Sequence, residues 1–443
     1  MKRSLRPGTT VAALAGLPIA MLVFGALGFV SRQTSGGEPG EPLGLAGVAP
    51  GREAVNRSIA SLQARVERLP QDFGAWASLG MAYVQQARIS GDPSSYAKAE
   101  ATLSRSLSIN EVDNFEAAAA WSALASARHD FPAAADWARR GLGINPASAP
   151  LWGALADAEI QLGRYEGGFD ATQRMVDLSP DTPSLARVSY VFELRGEVES
   201  ARAMMTRALE AAFTDSDRAF VRHQLGELAF NAGEPGDALA QYEAGLAADP
   251  SYAPLLAGRA KARAALGRLD EAVADYRAAL DRLPQPGYAM ELGELLEAQG
   301  HAAGAARQYE LVVAFGQLFE AAGVAPDVEM VFFEADHGDP GRAVAIAEAI
   351  LERRGIVDVA DAYAWALHRA GRDAEAWTWS QRALSLGTAN ARFRYHAGAI
   401  RHALGDDAGA REHLAAALDL NPHFSPLRAP LATGLLQRLS TGS

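Results

Sequence analysis

The 443-residue chain contains no cysteine. That single absence excludes disulfide staples, thiolate metal sites, a cysteine nucleophile and a lipid-modified N-terminal cysteine. Charge is lopsided only mildly, with 41 basic against 53 acidic residues and a net charge of −12. No polybasic run occurs beyond the N-terminus, so nucleic acid is not an expected ligand. Catalytic signatures are missing too: there is no H-E-x-x-H, no phosphate-cradling P-loop and no G-x-S-x-G elbow. Of nine histidines, four (His396, His402, His413, His423) fall near the C-terminus. His396 and His402 lie about 240° apart around a helix and do not converge. Neither a metal nor a cofactor is expected, and no enzymatic activity.

What is present is a repeat. The stretch from Ser251 to Pro284 reads as two helical patterns joined at Leu266-Gly267-Arg268. Its second half carries Ala272, Tyr276, Ala279 and Leu280 at helical spacing. A small residue recurs at Ala99, Ala134, Gly168, Ala201, Ala238, Ala272, Ala305, Ala343, Ala376 and Ala410, separated by 33 to 38 positions. Eight residues after each stands Leu or Val: Leu107, Leu142, Val176, Leu209, Leu246, Leu280, Val313, Leu351, Leu384 and Leu418. A small residue where two helices cross sets how closely their axes approach.

Period and pattern together resemble the tetratricopeptide repeat (TPR), whose first helix carries W-x2-L-G-x2-Y and whose second carries A-x3-F before a closing Pro. Trp76-Ala-Ser-Leu79-Gly80-Met-Ala-Tyr83 matches the first helix fully; Leu225-Gly226 and Leu292-Gly293 repeat its central pair. Pro146, Pro180, Pro250, Pro284 and Pro422 close their units. The units around Ala134, Ala201 and Ala343 lack the Leu-Gly pair, so their boundaries are least defined. Residue usage rich in Ala, Gly and Arg is similar to that of TPR proteins of actinobacterial type. The resemblance implies an all-α fold, a right-handed TPR superhelix or α-solenoid of about ten helix-turn-helix repeats. One elongated solenoid over 52–422 and a capping helix over 423–443 are expected. Arg52 to Leu69 fits as an N-terminal cap occupying the place of a preceding second helix.

Two irregularities interrupt the period. The first unit carries seven extra residues near Arg88–Ser94, which read as a tolerated loop insertion. Four more between Phe315 and Asp327 suggest two sub-stacks that flex against one another.

Ahead of the repeats, Met1-Lys-Arg-Ser-Leu-Arg6 precedes 22 residues without charge, Thr9 to Val30. A run of that length can span a membrane as a helix, with Lys2, Arg3 and Arg6 on the cytoplasmic side. Residues 1–30 therefore read as a transmembrane anchor, with a cleaved signal peptide as the alternative. Residues 31–51, rich in Gly and Pro, read as a flexible tether. Either way the repeats are expected outside the cytoplasmic membrane, anchored by a single pass or secreted if the leader is cut.

TPR proteins usually bind on the concave face lined by first helices. Carrying the family's concave positions onto this sequence selects Asp157, Arg187, His223, Glu227, Lys261, Met290, Glu294, Phe332, Asp361, Trp365, His368, Tyr395 and His402. Only Lys261 stands where the family's carboxylate-binding grooves repeat Lys and Asn. Phe332, Trp365 and Tyr395 should give the C-terminal third an aromatic lining, and Tyr and Trp often carry interface energy. The expected function is a non-catalytic scaffold for a protein or extended peptide, with Trp365→Ala expected to abolish capture and leave helical content intact. A self-associating structural component of the cell envelope is the alternative.

Overall fold

A computed structural model describes residues 52–92, 94–321 and 323–441. Both Thr9–Val30 and the tether 31–51 lie outside these residues. Among the described residues no helix is long and apolar enough to cross a membrane.

Those residues form 22 α-helices and no strand. A lone helix, α1 (Arg52–Arg68), precedes ten antiparallel hairpins. The first five pair α2 (Phe73–Ser90) with α3 (Ser95–Ile109), α4 (Phe115–Ala127) with α5 (Phe131–Ile144), α6 (Ala149–Gln161) with α7 (Tyr165–Leu178), α8 (Thr182–Leu194) with α9 (Val198–Glu210), and α10 (Asp215–Asn231) with α11 (Pro235–Ala248). The next five pair α12 (Ala253–Ala265) with α13 (Leu269–Arg282), α14 (Pro286–Ala298) with α15 (Ala302–Ala321), α16 (Val328–His337) with α17 (Pro340–Leu351), α18 (Val357–Arg369) with α19 (Asp373–Ala383), and α20 (Ala391–Ala403) with α21 (Asp407–Leu420). A final helix, α22 (Arg428–Thr441), packs on α21.

Local chemistry explains the punctuation. Asp72, Asn114, Ser148, Asp181, Thr214, Asp327 and Asn390 cap first helices, each side chain accepting a hydrogen bond from a backbone N–H of the opening turn. Nine of the ten hairpins then turn at a left-handed residue, glycine in every case but His129, and the eighth turns at Gly338 with φ −126°.

All ten small residues lie on second helices and are buried. Twelve positions upstream, in nine of the ten units, sits their counterpart on the first helix, and its size is matched to the partner. A Cβ on Gly226 would lie 2.3 Å from the Tyr242 ring, one on Gly293 2.4 Å from Tyr309, and one on Gly398 2.8 Å from Leu414. The glycine of the Leu-Gly pair thus leaves room for a large residue on the second helix. Two of the units without that pair solve the same contact differently. Ser122 and Ser189 stand in the glycine's place, and their hydroxyls donate to the carbonyls of Ala134 and Ala201 at 2.8 and 2.7 Å. Around Ala343, Val331 takes the position and is fully buried. All three units are regular hairpins.

The column of Leu and Val eight residues on is a different matter. Most of it is half-buried, and Val313 is 36% exposed. The buried column is one residue earlier, from Ser106 through Met175, Ala279 and Val312 to Ala417. At about 100° per residue, seven positions return to within about 20° of the starting face, whereas eight overshoot by about 80°.

First helices are packed on nearly every side, as in α4 and α10, and form the inner layer. Second helices bury a single stripe and form the outer one.

The array is not a drawn-out rod. The turns of the first five hairpins, at Gly91, His129, Gly163, Gly196 and Gly233, each touch the loop that follows the hairpin five units further on. Gly91 meets Leu283 and Pro284, and His129 Nδ1 lies 3.1 Å from the Ala325 carbonyl oxygen. At the third turn, the Gly355 N–H donates to Gln161 O at 2.9 Å. At the fourth, Thr388 Oγ1 donates to Leu194 O at 2.5 Å, and at the fifth Asn421 Nδ2 donates to Phe230 O at 2.8 Å. Gln161, Leu194 and Phe230 lie in the last turns of first helices, where backbone carbonyls have no intrahelical partner. Each coil therefore caps the helices of the coil beside it. The irregular segment before Asp327 does not free two sub-stacks, because Ala325 is held by His129 and Arg354 bridges Asp327 to Gln161.

Candidate binding cavity

Coiling encloses space. A cavity of about 1070 Å³ lies inside the coil, walled by α10, α12 and α14, the end of α2 and the segment joining α15 to α16. A smaller one of about 370 Å³ adjoins it toward α20 and the segment leading into α22. Both supposed irregularities turn out to be wall. Arg88, Ile89 and Gly91 of the first-unit insertion line the large cavity, as do Gly316, Gln317, Phe319 and Val324 beside the later break.

Glu227 organises the polar part of the wall. Its carboxylate accepts from Lys261 Nζ at 2.7 Å and from the Tyr242 hydroxyl at 2.6 Å. Lys261 also stands 4.8 Å from the centre of the Phe230 ring. Burial alone would raise the Glu227 pKa, but Lys261, His223 and the Tyr242 hydroxyl outweigh it and hold the group below its ordinary value. His223 Nε2 is 3.7 Å from Glu227, yet burial, with Lys261 adding to it, pushes the imidazole down to about 4. At neutral pH that contact joins a carboxylate to a neutral ring. Two first helices on, in α14, burial raises Glu291 to about 7, with Glu227 and Glu294 adding to it and Lys261 opposing. Glu329, across the cavity, is pushed up to about 8 by burial and the Asp327 charge. Much of the acidic wall is thus protonated or paired near neutrality. Between these groups Phe220, Tyr252, Tyr288, Phe319 and Phe332 present ring surface.

The thirteen positions selected from the sequence divide three ways. His223, Glu227, Lys261, Met290 and Phe332 line the large cavity, and Glu294 joins Lys261, Met290 and Phe332 in the smaller one. A second group serves packing between first helices. Arg187 makes a bidentate pair with Asp157 at 3.0 and 2.8 Å, and Asp361 accepts from His396 at 3.0 Å. Trp365, 2% exposed, stacks on His396 at 4.1 Å and donates to Asp336 at 3.1 Å, while Tyr395 lies 5.4 Å from Phe424. The expected open aromatic lining is therefore filled, because the segment from Pro422 to Arg428 folds into the coil and Arg428 reaches Asp336 at 2.7 Å. Trp365→Ala would open a core, contrary to the expectation that helical content would survive it. The third group, His368 and His402, sits near hairpin turns, each pairing with an aspartate at the start of the next helix, Asp373 at 2.5 Å and Asp407 at 2.8 Å.

Sequence reasoning missed Arg88, Tyr252, Tyr288 and Glu291 because concave positions were counted within single units. Tyr252 and Tyr288 stand at or near the starts of α12 and α14, and Arg88 lies in the insertion. The Tyr at a unit's start was readable; what faced it across the coil was not.

No protein-family model matches the chain, and no curated protein does. Among solved structures, human IFIT1, determined as a dimer with m7Gppp-AAAA, is similar over 76% of this chain and 78% of its own, at 15% identity and a TM-score of 0.48. A tetratricopeptide repeat protein from Parabacteroides merdae is similar over 58% of this chain and 98% of its own, at 17% identity and a TM-score of 0.34. A chain of the APC/C hetero-tetramer Cut9–Hcn1 is similar over 88% of this chain and 82% of its own, at 14% identity and a TM-score of 0.40. These likenesses concern the helical-repeat fold alone.

Proposed function

We propose that this protein is a non-catalytic scaffold that holds an extended segment of a partner protein inside its coil, which follows the right-handed sense implied by the TPR resemblance. The observation carrying this reading is the cavity of about 1070 Å³, a size suited to a short peptide stretch. Its wall suits a peptide's alternating needs. Aromatic rings take side chains, while tyrosine hydroxyls and protonated carboxyls meet backbone amides. Nucleic acid fits less well, since eight acidic and six basic side chains line the space.

Panning a displayed random-peptide library on the purified protein tests the reading. Enriched peptides should bind the wild type and lose at least about tenfold in affinity with Gln317→Trp, because Gln317 is exposed on the cavity wall and the larger ring would occupy the space. Failure to enrich any peptide, or binding indifferent to the substitution, would refute it. Presentation on the outer side of the cytoplasmic membrane, through residues 1–30, belongs to the same proposal. Protease added to intact spheroplasts should then degrade the repeats; their protection would exclude it.

A further inference from the structure

The contact that closes the coil is periodic, and the period does not run out where the described helices do. Each of the first five turns is covered by the loop that follows the hairpin five units on. Among the described residues the sixth, seventh, ninth and tenth turns have no such cover: a Cβ at Gly267, Gly300, Gly371 or Gly405 would meet nothing within 4 Å, and one at Gly338, in the eighth turn, would meet Glu334 of its own helix. At the opposite rim, the loops after α1 and after the first four hairpins have no turn beneath them among the described residues. One rim is an array of uncovered turns, the other an array of uncovered loops. They are the two halves of the contact already made five times inside the molecule.

Exposed apolar side chains concentrate on these rims. Leu266 and Leu269 flank the sixth turn at 44% and 39% exposure, and Leu404 adjoins the tenth at 43%. On the loop rim, Leu69 is 54% exposed, Val112 76% and Phe213 92%. The end helices are incomplete in a matching way. α1 keeps part of the second-helix pattern, with Ser58 at the small position and Leu62 four residues on but the exposed Arg65 seven on, and the Ser58 hydroxyl is buried without a partner. α22 packs on α21 as a first helix does on the preceding unit, and no second helix follows it among the described residues.

We propose that this protein associates head to tail with a second copy of itself, the turn rim of one chain receiving the loop rim of the next, so that one superhelix continues across the joint. Counting α22 with the incoming α1 as an eleventh unit, the internal rule assigns each pair without adjustment. The loop at Leu69 meets the turn at Leu266 and Leu269, and the loop at Phe213 meets the turn at Leu404. Asn110 and Asn145 cap α3 and α5 where Asn421 caps α21, but only Asn421 spends its Nδ2 on a carbonyl of the facing coil, Phe230 O. In the joint, Asn110 takes that role against the last turn of α14, whereas the equivalent carbonyl of α16, Ala335 O, already accepts from Arg369 Nε at 3.0 Å. The contact is heterologous, so it propagates rather than closing as a dimer.

The absence of cysteine makes the test direct. Full-length Leu69→Cys and Leu266→Cys chains, mixed under mild oxidation, should form a mixed disulfide at least about tenfold faster than either chain alone. Wild-type protein should sediment faster as its concentration rises, whereas Phe213→Asp, at a site 92% exposed, should keep the wild-type circular dichroism and sediment as a monomer. A sedimentation coefficient independent of concentration, or self-linking of each single-cysteine chain as fast as cross-linking, would overturn the proposal. It stands apart from the cavity reading, since peptide panning on the monomeric Phe213→Asp protein reports on the cavity alone.

Discussion

A Cβ on Gly196 would lie 2.3 Å from the carbonyl oxygen of Gly387, although the two residues belong to successive turns of the coil. Gly196 has φ 69° and Gly371, at the equivalent turn of the ninth hairpin, has φ 76°. Both pay the left-handed penalty on substitution, about 1–2 kcal/mol, but only Gly196 also meets a backbone. Gly196→Ala should therefore lower the denaturation midpoint clearly more than Gly371→Ala. Equal losses in urea titrations would show that the coils do not press on each other there.

Trp365 fills space that nothing else can. It is 2% exposed and sandwiched among His396, Tyr395 and His368. Trp365→Ala should cost about 3–5 kcal/mol, with protection from hydrogen exchange lost first in α16, α18 and α20. A variant as stable as the wild type would mean that the ring is not packed as described.

Glu193 is buried with an oxygen that has no hydrogen-bond partner, and burial, reinforced by Glu227 and Asp358, raises its pKa to about 8. A carboxyl whose folded pKa is raised penalises the native state at a pH above that value, and the penalty is relieved as pH falls toward the unfolded value. Between pH 9 and pH 6 the wild type should therefore gain thermal stability. Glu193→Gln, which stays neutral throughout, should raise the melting temperature at pH 9 and flatten that rise. A substitution that destabilises at pH 9 would reverse the sign and refute the assignment.

Lys261 neutralises Glu227 at 2.7 Å within a buried cluster. Removing one partner of such a pair leaves an uncompensated charge and typically costs about 3–5 kcal/mol. Lys261→Met should thus be markedly less stable than the wild type at pH 7, and adding Glu227→Gln should recover much of the loss. If the double variant is no better than the single one, the two side chains do not act as a pair.

The helices, their pairing and the places where they cross could be read from the chain alone, because these depend on neighbours within about 35 residues. The small residue from Ala99 to Ala410 marks the same buried crossing in all ten hairpins. Even the units without Leu-Gly follow the rule, with Ser122 and Ser189 substituting a hydroxyl for open space. The candidate site was legible only in part for the same reason: Glu227 and Lys261 face each other one repeat apart, whereas Arg88 and Tyr252 share a wall across more than four units.

The tightness of the coil was decided elsewhere. Curvature in a stacked array follows from the rotation of each unit relative to the last, accumulated here over five hairpins, and no single unit encodes that sum. Only the assembled structure brings Gly196 to Gly387 and Asn421 to Phe230, forms the cavity, and buries Trp365 and Tyr395 beside the returning segment at Phe424. The contacts of Gly196 with Gly387 and of Asn421 with Phe230 each join residues 191 positions apart. A repeat of 33 to 38 residues carries no trace of them.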